Sequence, residues 1–194
     1  MIGYIKGTLT FKSPAYVLLE SGGIGYHIFI SLHTFTRIQH TEQCKLLTYL
    51  HITDSAHTLY GFADEVEKYL FTQLITVSGV GPSTARLALS SLSPEELHKA
   101  IVQGNERVIQ GIKGIGPKTA KRIILELKDK LVKMTDEIKI QIPSGNSLSQ
   151  EALSALVTLG FNKSQAEKAI DDLLRTDKEF SGVEDLIKKA LKLL

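Results

Sequence analysis

The chain has 194 residues, which is enough for one large domain or for two to three small ones. Apolar residues make up 43% of it, and no uncharged apolar run approaches the roughly 18 residues that a membrane span needs. The first residues, MIGYIKGTLTF, alternate between apolar and polar, unlike the basic and then apolar blocks of a signal peptide. The only cysteine, Cys44, leaves no internal disulfide to form and fits a reducing compartment. We therefore expect a cytoplasmic protein.

The net charge of +2 is small, but it is unevenly distributed. Residues 64–132 carry ten Lys and Arg against eight Asp and Glu, whereas residues 148–194 carry seven against eight. Residues 1–63 have a net charge of +1. A large anionic partner is therefore expected to meet the middle of the chain rather than its end.

Residues 1–63 show the period-two pattern of β-strands, with β-branched and aromatic residues bounded by Gly, Pro and Ser. The predicted strands are 2–11, 16–20, 25–31, 45–52 and 57–62. Five short strands in about sixty residues suggest a small closed barrel, and the oligonucleotide/oligosaccharide-binding (OB) fold matches in size. The pattern alone leaves other small β-folds open. Residues 32–40 are predicted to be irregular or to form one helical turn.

From Asp64 the pattern changes to helical, and residues 64–132 are predicted to form an all-α domain. Ser93, Pro94 and Glu96 make a capping box with proline at the first helical position, so a helix is expected to begin there. The predicted helices lie near 65–77, 82–91, 94–103, 105–111 and 117–131. Residues 133–148 are polar and contain Pro143 and Gly145, which predicts a flexible linker.

Residues 149–194 contain three short amphipathic stretches, each with an apolar stripe on one face. Each stretch has a helix-start residue, Ser149, Asn162 or Ser181. These features predict a three-helix, UBA-like bundle. The whole chain is thus predicted to be a multidomain α+β protein.

A seven-residue motif occurs twice in the helical segment. GVGPSTA at 79–85 returns as GIGPKTA at 114–120, an offset of 35 residues. Each copy follows one predicted helix and opens another, so the glycines lie in a hairpin turn and the proline takes the first helical position. Glycine lets a phosphate approach the backbone closely, and the free N–H groups at the helix start favour an anion. The motif therefore predicts phosphate binding.

Other interpretations of the same letters are weaker. A dinucleotide fingerprint needs a third glycine and a preceding strand, and neither is present. Gly111, Gly116, Lys118 and Thr119 nearly spell a nucleotide P-loop, but Pro117 intrudes and no strand precedes Gly111. We therefore expect no cofactor. A plain helix-helix turn accounts for one copy, but less well for two copies that are each followed by Thr-Ala.

The second copy adds three cations, Lys118, Lys121 and Arg122, on one face of the first helical turns. In the first copy only Arg86 is basic, and Ser83 stands in the place of Lys118. A solvated helix face, with Arg122 paired to Glu126, is the alternative explanation. Two such clamps would grip a duplex backbone from its minor-groove side and predict sequence-independent DNA binding. The predicted DNA-binding residues are Gly79, Val80, Gly81, Ser83, Thr84, Arg86, Gly114, Ile115, Gly116, Lys118, Thr119, Lys121 and Arg122.

A small barrel, tandem helix-hairpin-helix motifs, a linker and a three-helix tail together resemble the bacterial RuvA family over the whole chain. The matching pieces are MIGYIKG, SGGIGYHI, LYGF, both hairpins, KTAKRIILELKDK and ALVTLGF. The resemblance implies a homotetramer that holds a four-way (Holliday) DNA junction open and flat. It also implies that the tail docks the hexameric ATPase RuvB, which uses ATP and Mg²⁺, so that this chain is not itself a catalyst. Whether the resolvase RuvC or a second tetramer joins the assembly is left open.

The resemblance also implies an acidic pin between the last two barrel strands, at Thr53-Asp54-Ser55-Ala56. Ser55 replaces one of the family's two adjacent carboxylates, so Asp54 is alone and its strand-separating role is weakened. A carboxylate on a tight turn is otherwise most often a turn former. Four such carboxylates brought together would repel phosphates.

In the tail, Leu156, Leu159 and Phe161 match the family's apolar surface for the partner. The alternative is that Leu156 belongs to the bundle core and that residues 159–161 form a helix stop. We expect Phe161 to be the more exposed of these residues, because so small a bundle cannot cover every aromatic.

Two other function classes stay open. Tandem hairpins also hold DNA for repair nucleases, glycosylases and ligases, whose catalysis needs clustered carboxylates, histidines or an activated nucleophile. The acidic pairs Asp64/Glu65, Glu95/Glu96 and Asp171/Asp172 lie at helix starts or on an exposed helix face, so no catalytic or metal-binding residue is predicted. A protein-binding adaptor would suit the tail but would leave the hairpins unexplained.

Overall fold

The computed structural model describes residues 2–140, 148–176, 180 and 182–194. The chain divides into two compact units, residues 1–135 and 136–194. No helix in the described part of the chain is long and apolar enough to cross a membrane.

The N-terminal strands form a closed barrel in the order β1-β2-β3-β5-β4, as the period-two pattern predicted. The strands are β1 (Tyr4–Lys12), β2 (Tyr16–Ser21), β3 (Ile24–Ile30), β4 (Gln43–Ile52) and β5 (His57–Phe62). Only the β3–β5 pairing is parallel, and the other four pairings are antiparallel. Alternate apolar side chains fill the interior, namely Ile5, Leu9, Val17, Leu19, Ile28, Ile30 and Leu46, with Ile38 at one end.

Residues 32–38, expected to be irregular or a single turn, form the helix α1 (Leu32–Ile38). The Ser31 side chain accepts a hydrogen bond from the Thr34 N–H and so caps its first turn. Ile38 and Thr34 are buried, and this burial stabilises a helix that is too short to persist by propensity alone.

The helical segment packs directly against the barrel. Its helices are α2 (Glu65–Leu74), α3 (Pro82–Ser91), α4 (Pro94–Val102), α5 (Glu106–Gln110) and α6 (Pro117–Ile140). The predicted capping box is present, since Ser93 and Glu96 each accept from the other's backbone N–H. One hydrophobic core contains Tyr60 and Phe62 of β5 together with apolar residues of all five helices. The transition from strands to helices at residues 63–64 therefore lies within one packed unit.

Helix α6 extends further than predicted. It was expected to end near residue 131 and to be followed by a linker over 133–148, but it continues to Ile140, and the next helix begins at Leu148. Residues 133–140 are polar but contain neither glycine nor proline, and polarity alone does not end a helix. Pro143 and Gly145 lie outside the described residues.

The tail forms a three-helix unit with α7 (Leu148–Thr158), α8 (Lys163–Thr176) and α9 (Val183–Ala190). Its core contains small and aliphatic side chains, Ala152, Leu156, Ala166, Ile170, Leu186 and Ala190. Asn162 accepts a hydrogen bond from the Ser164 N–H at 2.9 Å, as expected for a helix start. Ser149 lies inside the first turn of α7 rather than before it, and Ser181 falls outside the described residues.

A buried carboxylate joins α2 to α1 and to the end of the barrel. Glu67 is fully buried, and the hydroxyls of Ser31 and Thr34 donate hydrogen bonds to its two carboxylate oxygens. The Ala63 N–H also donates to Glu67, at 3.2 Å. Burial raises the pKa of Glu67 above its ordinary value of 4.5, against the lowering effect of these hydrogen bonds and of His33.

The raised pKa of Glu67 predicts a specific pH dependence of stability. A raised folded-state pKa means that the folded state holds this proton more tightly than the unfolded state does. The protonated Glu67 side chain therefore contributes to the free energy of unfolding in full below pH 4.5, and this contribution is lost as the pH rises through the folded-state pKa. Glutamine at position 67 does not titrate, so the Glu67→Gln variant does not lose this contribution. The unfolding free energy of the variant, relative to that of the wild type, should therefore rise as the pH increases from 4.5 through the folded-state pKa of Glu67. Urea unfolding at several pH values measures this difference.

The matched control is Glu65→Gln, the same substitution at an exposed position in the same helical turn. It removes a carboxylate from an exposed position and so reports the cost of the substitution itself. A stability curve for Glu67→Gln that runs parallel to that of the wild type would show that the Glu67 pKa is the same in the folded and unfolded states.

Candidate nucleic-acid interface

The two glycine motifs form two hairpin turns of the same construction. The first joins α2 to α3, and the second joins α5 to α6. Gly79 has φ +92° and Gly114 has φ +91°, in the left-handed region that other residues rarely adopt. The next residue donates its N–H three residues back in both turns, from Val80 to Val77 O and from Ile115 to Ile112 O, each at 3.0 Å. The sequence repeat is therefore a structural repeat.

The second glycine of each motif stands at the start of a helix. Ala85 N donates to Gly81 O, and Ala120 N donates to Gly116 O, both at 2.9 Å. Gly81 has no side chain to cap α3, so the first N–H groups of that helix remain for solvent or a ligand. Both glycines are exposed, and a Cβ built on either would meet nothing within 4 Å. The backbone at both helix starts can therefore be approached by a phosphate.

Two of the residues predicted to bind DNA instead anchor the turns. Val80 and Ile115 are each 5% exposed, and their N–H groups are already used within their own turns. Neither the side chain nor the backbone N–H of these residues is free for a ligand. Their apolar side chains hold each turn onto the core. The sequence pattern Gly-apolar-Gly-Pro does not show whether the apolar residue packs in the core or contacts a ligand.

The two turns face each other across a short distance. A Cβ on Gly79 would lie 3.6 Å from Oγ1 of Thr119, and a Cβ on Gly114 would lie 3.9 Å from Cγ2 of Thr84. Each threonine of one motif thus packs beside the first glycine of the other. Arg122 adds a polar link, because its Nη1 donates to Ser78 O at 3.3 Å. The two hairpins form one continuous surface.

The cations of the second motif divide into two kinds. Lys118 and Lys121 are exposed, and no ion pair found among the described residues includes either of them. Arg122 lies 3.7 Å from Glu126, measured from Nε to Oε1, which is the pairing that the alternative interpretation expected. Lys118 and Lys121 are therefore the better candidates for contact with an anion.

Arg86, the only cation of the first motif, points to the barrel instead of to the turn. Its Nη1 donates to Ala15 O at 2.9 Å and to Ile30 O at 3.2 Å. The guanidinium carbon lies 5.4 Å from the centre of the Phe29 ring, a cation–π distance. Arg86 therefore makes contacts within the fold, and its predicted phosphate contact stays a prediction. Ser83 is exposed in the first turn of α3.

The turn between β4 and β5 has the form expected of it. Thr53 N donates to Ala56 O at 2.9 Å, and the Thr53 hydroxyl donates to the same carbonyl at 3.1 Å. Asp54 and Ser55 stand at the tip, exposed to solvent. The position of the single carboxylate agrees with the sequence prediction, and its role as a pin stays a prediction.

The tail places its three predicted partner-binding residues differently from one another. Leu156 is fully buried in the bundle core, Leu159 is 62% exposed, and Phe161 is partly buried against that core. The expectation that Phe161 would be the more exposed residue is therefore wrong. Gly160, with φ +100°, ends α7, and Phe161 N donates to Leu156 O at 3.1 Å, which turns the ring back onto the bundle.

Family models match all three parts of the chain. A model described as the RuvA N-terminal domain matches residues 1–61, a SAM-like tandem helix-hairpin-helix model matches 71–129, and a RuvA C-terminal domain model matches 147–194. Proteins called Holliday junction branch migration complex subunit RuvA are similar over the full length of both chains. They include those of Cytophaga hutchinsonii and Christiangramia forsetii, each 49% identical, and of Bacteroides fragilis, 42% identical. The chain belongs to the RuvA family.

One group of side chains in this RuvA-family chain has metal-ligand composition. In the part of the chain that the structure describes, His33, Asp64 and Glu67 are the one such group, with ligand atoms within 4.8 Å of one another. Asp64 accepts from the Glu67 N–H at 2.8 Å as the cap of α2, and both Glu67 oxygens accept from hydroxyls. His33 Nε2 lies 3.3 Å from Asp64 Oδ2. These contacts account for the group as a structural network.

The left-handed turn conformation predicts a cost for any side chain at Gly79. Gly79→Ala should lower the free energy of unfolding by about 1–2 kcal/mol, the cost of a Cβ in left-handed backbone. No clash contributes, because 3.6 Å to Thr119 is an ordinary contact. Gly25→Ala is the control, since Gly25 has open space around its Cβ position and no left-handed φ. Equal urea unfolding midpoints for the two variants would contradict the assigned turn conformation.

Proposed function

We propose that the chain binds four-way DNA junctions through their backbones, without sequence preference, as a non-catalytic subunit of a branch-migration complex. The observation that carries the proposal is the pair of equivalent hairpin turns joined into one surface. The names of the full-length relatives agree with it, since each is a subunit of a Holliday junction branch migration complex. The reducing cytoplasm is the proposed compartment.

The chemistry of the surface favours phosphate over base recognition. Each turn presents the N-terminus of a helix behind an exposed glycine, which binds an anion through backbone N–H groups. Lys118 and Lys121 add side-chain charge beside the second turn. Contacts of this kind fix a duplex in place but do not read its sequence. Because much of the attraction comes from the backbone, a net charge of +2 is sufficient.

A four-way junction has four equivalent arms, and one pair of hairpins can hold one arm. We therefore propose a homotetramer in which each chain grips one arm. Asp54 stands exposed at the tip of the β4–β5 turn, where the fourfold axis would bring its copies together. Four carboxylates there would repel the phosphates and keep the arms apart. Ser55 at the neighbouring position halves the acidic charge that a paired carboxylate would give.

The work of moving the junction is proposed to belong to the hexameric ATPase RuvB, which would use ATP and Mg²⁺. In this chain the residues that resemble a P-loop, 111–119, run from the end of α5 to the start of α6, and Pro117 lies inside the expected loop. We propose that RuvB docks on the tail at Leu159, since this residue is exposed and follows the buried Leu156. The resolvase RuvC is a further candidate partner.

The proposal predicts that the purified protein binds a synthetic four-way junction more tightly than linear duplex of the same arm sequence. A gel-shift titration of both DNAs, at fixed salt and with magnesium present, measures the two dissociation constants. Because four arms are held at once, the junction should bind at least about tenfold more tightly. The DNA should remain uncut.

Equal affinity for the two DNAs would contradict the junction proposal. Cleavage of the junction would instead support the alternative in which the hairpins hold DNA for a nuclease. Failure to bind either DNA would leave only the protein-binding adaptor.

The proposed docking site predicts a loss of partner binding from a change at one exposed side chain. Leu159→Ser removes apolar surface from a residue that is 62% exposed, so the fold should be kept. Its affinity for the organism's own RuvB, measured by fluorescence anisotropy, should fall about tenfold or more, as for a central apolar contact. Leu174→Ser is the control, because Leu174 is 41% exposed on α8. Equal losses in both variants would contradict a docking site at Leu159.

A further inference from the structure

We propose that Arg86 is a positioning residue that fixes the first hairpin to the barrel and thereby determines the preference for a junction over linear duplex. The inference rests on the proposed function, because it concerns how the DNA-binding surface is held. It assigns to Arg86 a contact within the protein instead of a contact with phosphate.

The contacts of Arg86 join two parts of one packed unit. The residue lies on α3, the helix that begins at the first glycine turn. Its guanidinium donates to two carbonyls of the barrel, Ala15 O in the β1–β2 loop and Ile30 O at the end of β3. Ile30 N itself donates to Ala15 O at 3.1 Å. Arg86 therefore binds where the β2–β3 pairing ends and fixes α3 to that edge.

A second hydrogen-bonded link lies one turn further along the same helix. Leu32 N donates to Ser90 Oγ at 3.0 Å, and the Ser90 hydroxyl donates to Arg86 O at 2.9 Å. Leu32 is the first residue of α1, two residues after the end of β3. Helix α3 is thus attached at two successive turns to the end of β3 and the start of α1, which restrains its rotation as well as its distance.

Arg86 combines two kinds of contact. Its Nη1 donates to both carbonyl oxygens, and its guanidinium carbon lies 5.4 Å from the centre of the Phe29 ring. A lysine ammonium is a point charge that does not stack in this way and is more strongly hydrated. For a phosphate contact, by contrast, lysine is an adequate replacement, because the phosphate needs only nearby positive charge. Arg86→Lys therefore separates the two roles.

Positioning would affect the two DNAs differently. Linear duplex needs only the hairpins, which hold each other through the reciprocal glycine and threonine contacts. A junction needs the hairpins at a set angle to the β4–β5 turn of the barrel, so that the arm and the junction centre are engaged together. Loosening α3 on the barrel should therefore weaken junction binding and leave duplex binding unchanged.

The experiment compares Arg86→Lys, Arg86→Ala and Lys121→Ala, with Arg107→Lys as a control at an exposed arginine on α5. Dissociation constants for the junction and for linear duplex are measured over a range of salt concentrations. Both Arg86 variants should lower the junction-to-duplex affinity ratio about tenfold. Their duplex salt slopes should match the wild type, whereas Lys121→Ala should lower that slope by about 0.9. Arg107→Lys should change neither quantity.

A distance measurement tests the same inference without DNA. Spin labels at Ser83→Cys and Ser55→Cys, in a Cys44→Ser background and diluted with unlabelled chain, report the distance between the first hairpin and the barrel turn within one chain. Arg86→Lys should broaden this distance distribution while the melting temperature confirms that the chain is folded.

The inference is overturned if Arg86→Lys keeps both the junction preference and the narrow distance distribution. It is also overturned if Arg86→Ala lowers the duplex salt slope by about 0.9, as loss of a phosphate contact would. If the wild type does not prefer the junction, the proposed function fails, and the distance measurement still decides whether Arg86 positions the hairpin.

Discussion

The contact between Phe71 of α2 and the aromatic residues of the barrel is the interaction on which the position of the proposed DNA-binding surface depends. The Phe71 ring centre lies 4.9 Å from that of Phe62, 5.1 Å from Tyr60 and 5.5 Å from Tyr49. Phe71 is fully buried, so separating the helices from the barrel would expose the ring to water at a cost of about 2–3 kcal/mol. The hairpins are consequently carried by the barrel as part of the same packed unit.

Burial of apolar rings is not directional, so it holds the helices against the barrel without fixing their angle. Hydrogen bonds are directional, and two sets of them lie at this contact. Glu67 binds the hydroxyls of Ser31 and Thr34 at the start of α1, and Arg86 binds the carbonyls of Ala15 and Ile30. Ile30 ends β3 and Ser31 caps α1, so each set includes one of these two adjacent residues. The two sets of hydrogen bonds therefore meet where β3 passes into α1, and together they help to orient the helices on the barrel.

The parts of the fold that local chemistry decides were predictable from the sequence. The period-two strands and the Ser93 capping box are local features, and both are confirmed. The end of α6 was predicted too early because polar composition was interpreted as irregular structure, although no residue up to Ile140 opposes a helix. The length of α1 was underestimated because its stability comes from burial of Ile38 against the barrel, which is a tertiary effect.

The candidate site divides in the same way. The repeated glycine and proline spacing predicted two equivalent turns, since left-handed backbone and helix starts are local requirements. The surroundings of Arg86 and of Phe161 were not predictable, because their partners are distant in sequence or depend on the path of the chain after a helix stop. A basic residue next to a motif can pair with groups of the protein itself or with a ligand, and the sequence does not show which.

The reciprocal packing of the two turns explains why one chain carries both copies. The first glycine of each turn is exposed, and the threonine of the other copy covers one side of it. A single copy would lose this contact and also the Arg122 hydrogen bond to Ser78. Because the two turns pack together, the two helix starts are held at a fixed spacing. They can therefore bind two phosphates without a loss of conformational entropy for each turn separately. The second copy thus contributes preorganisation in addition to a second binding group.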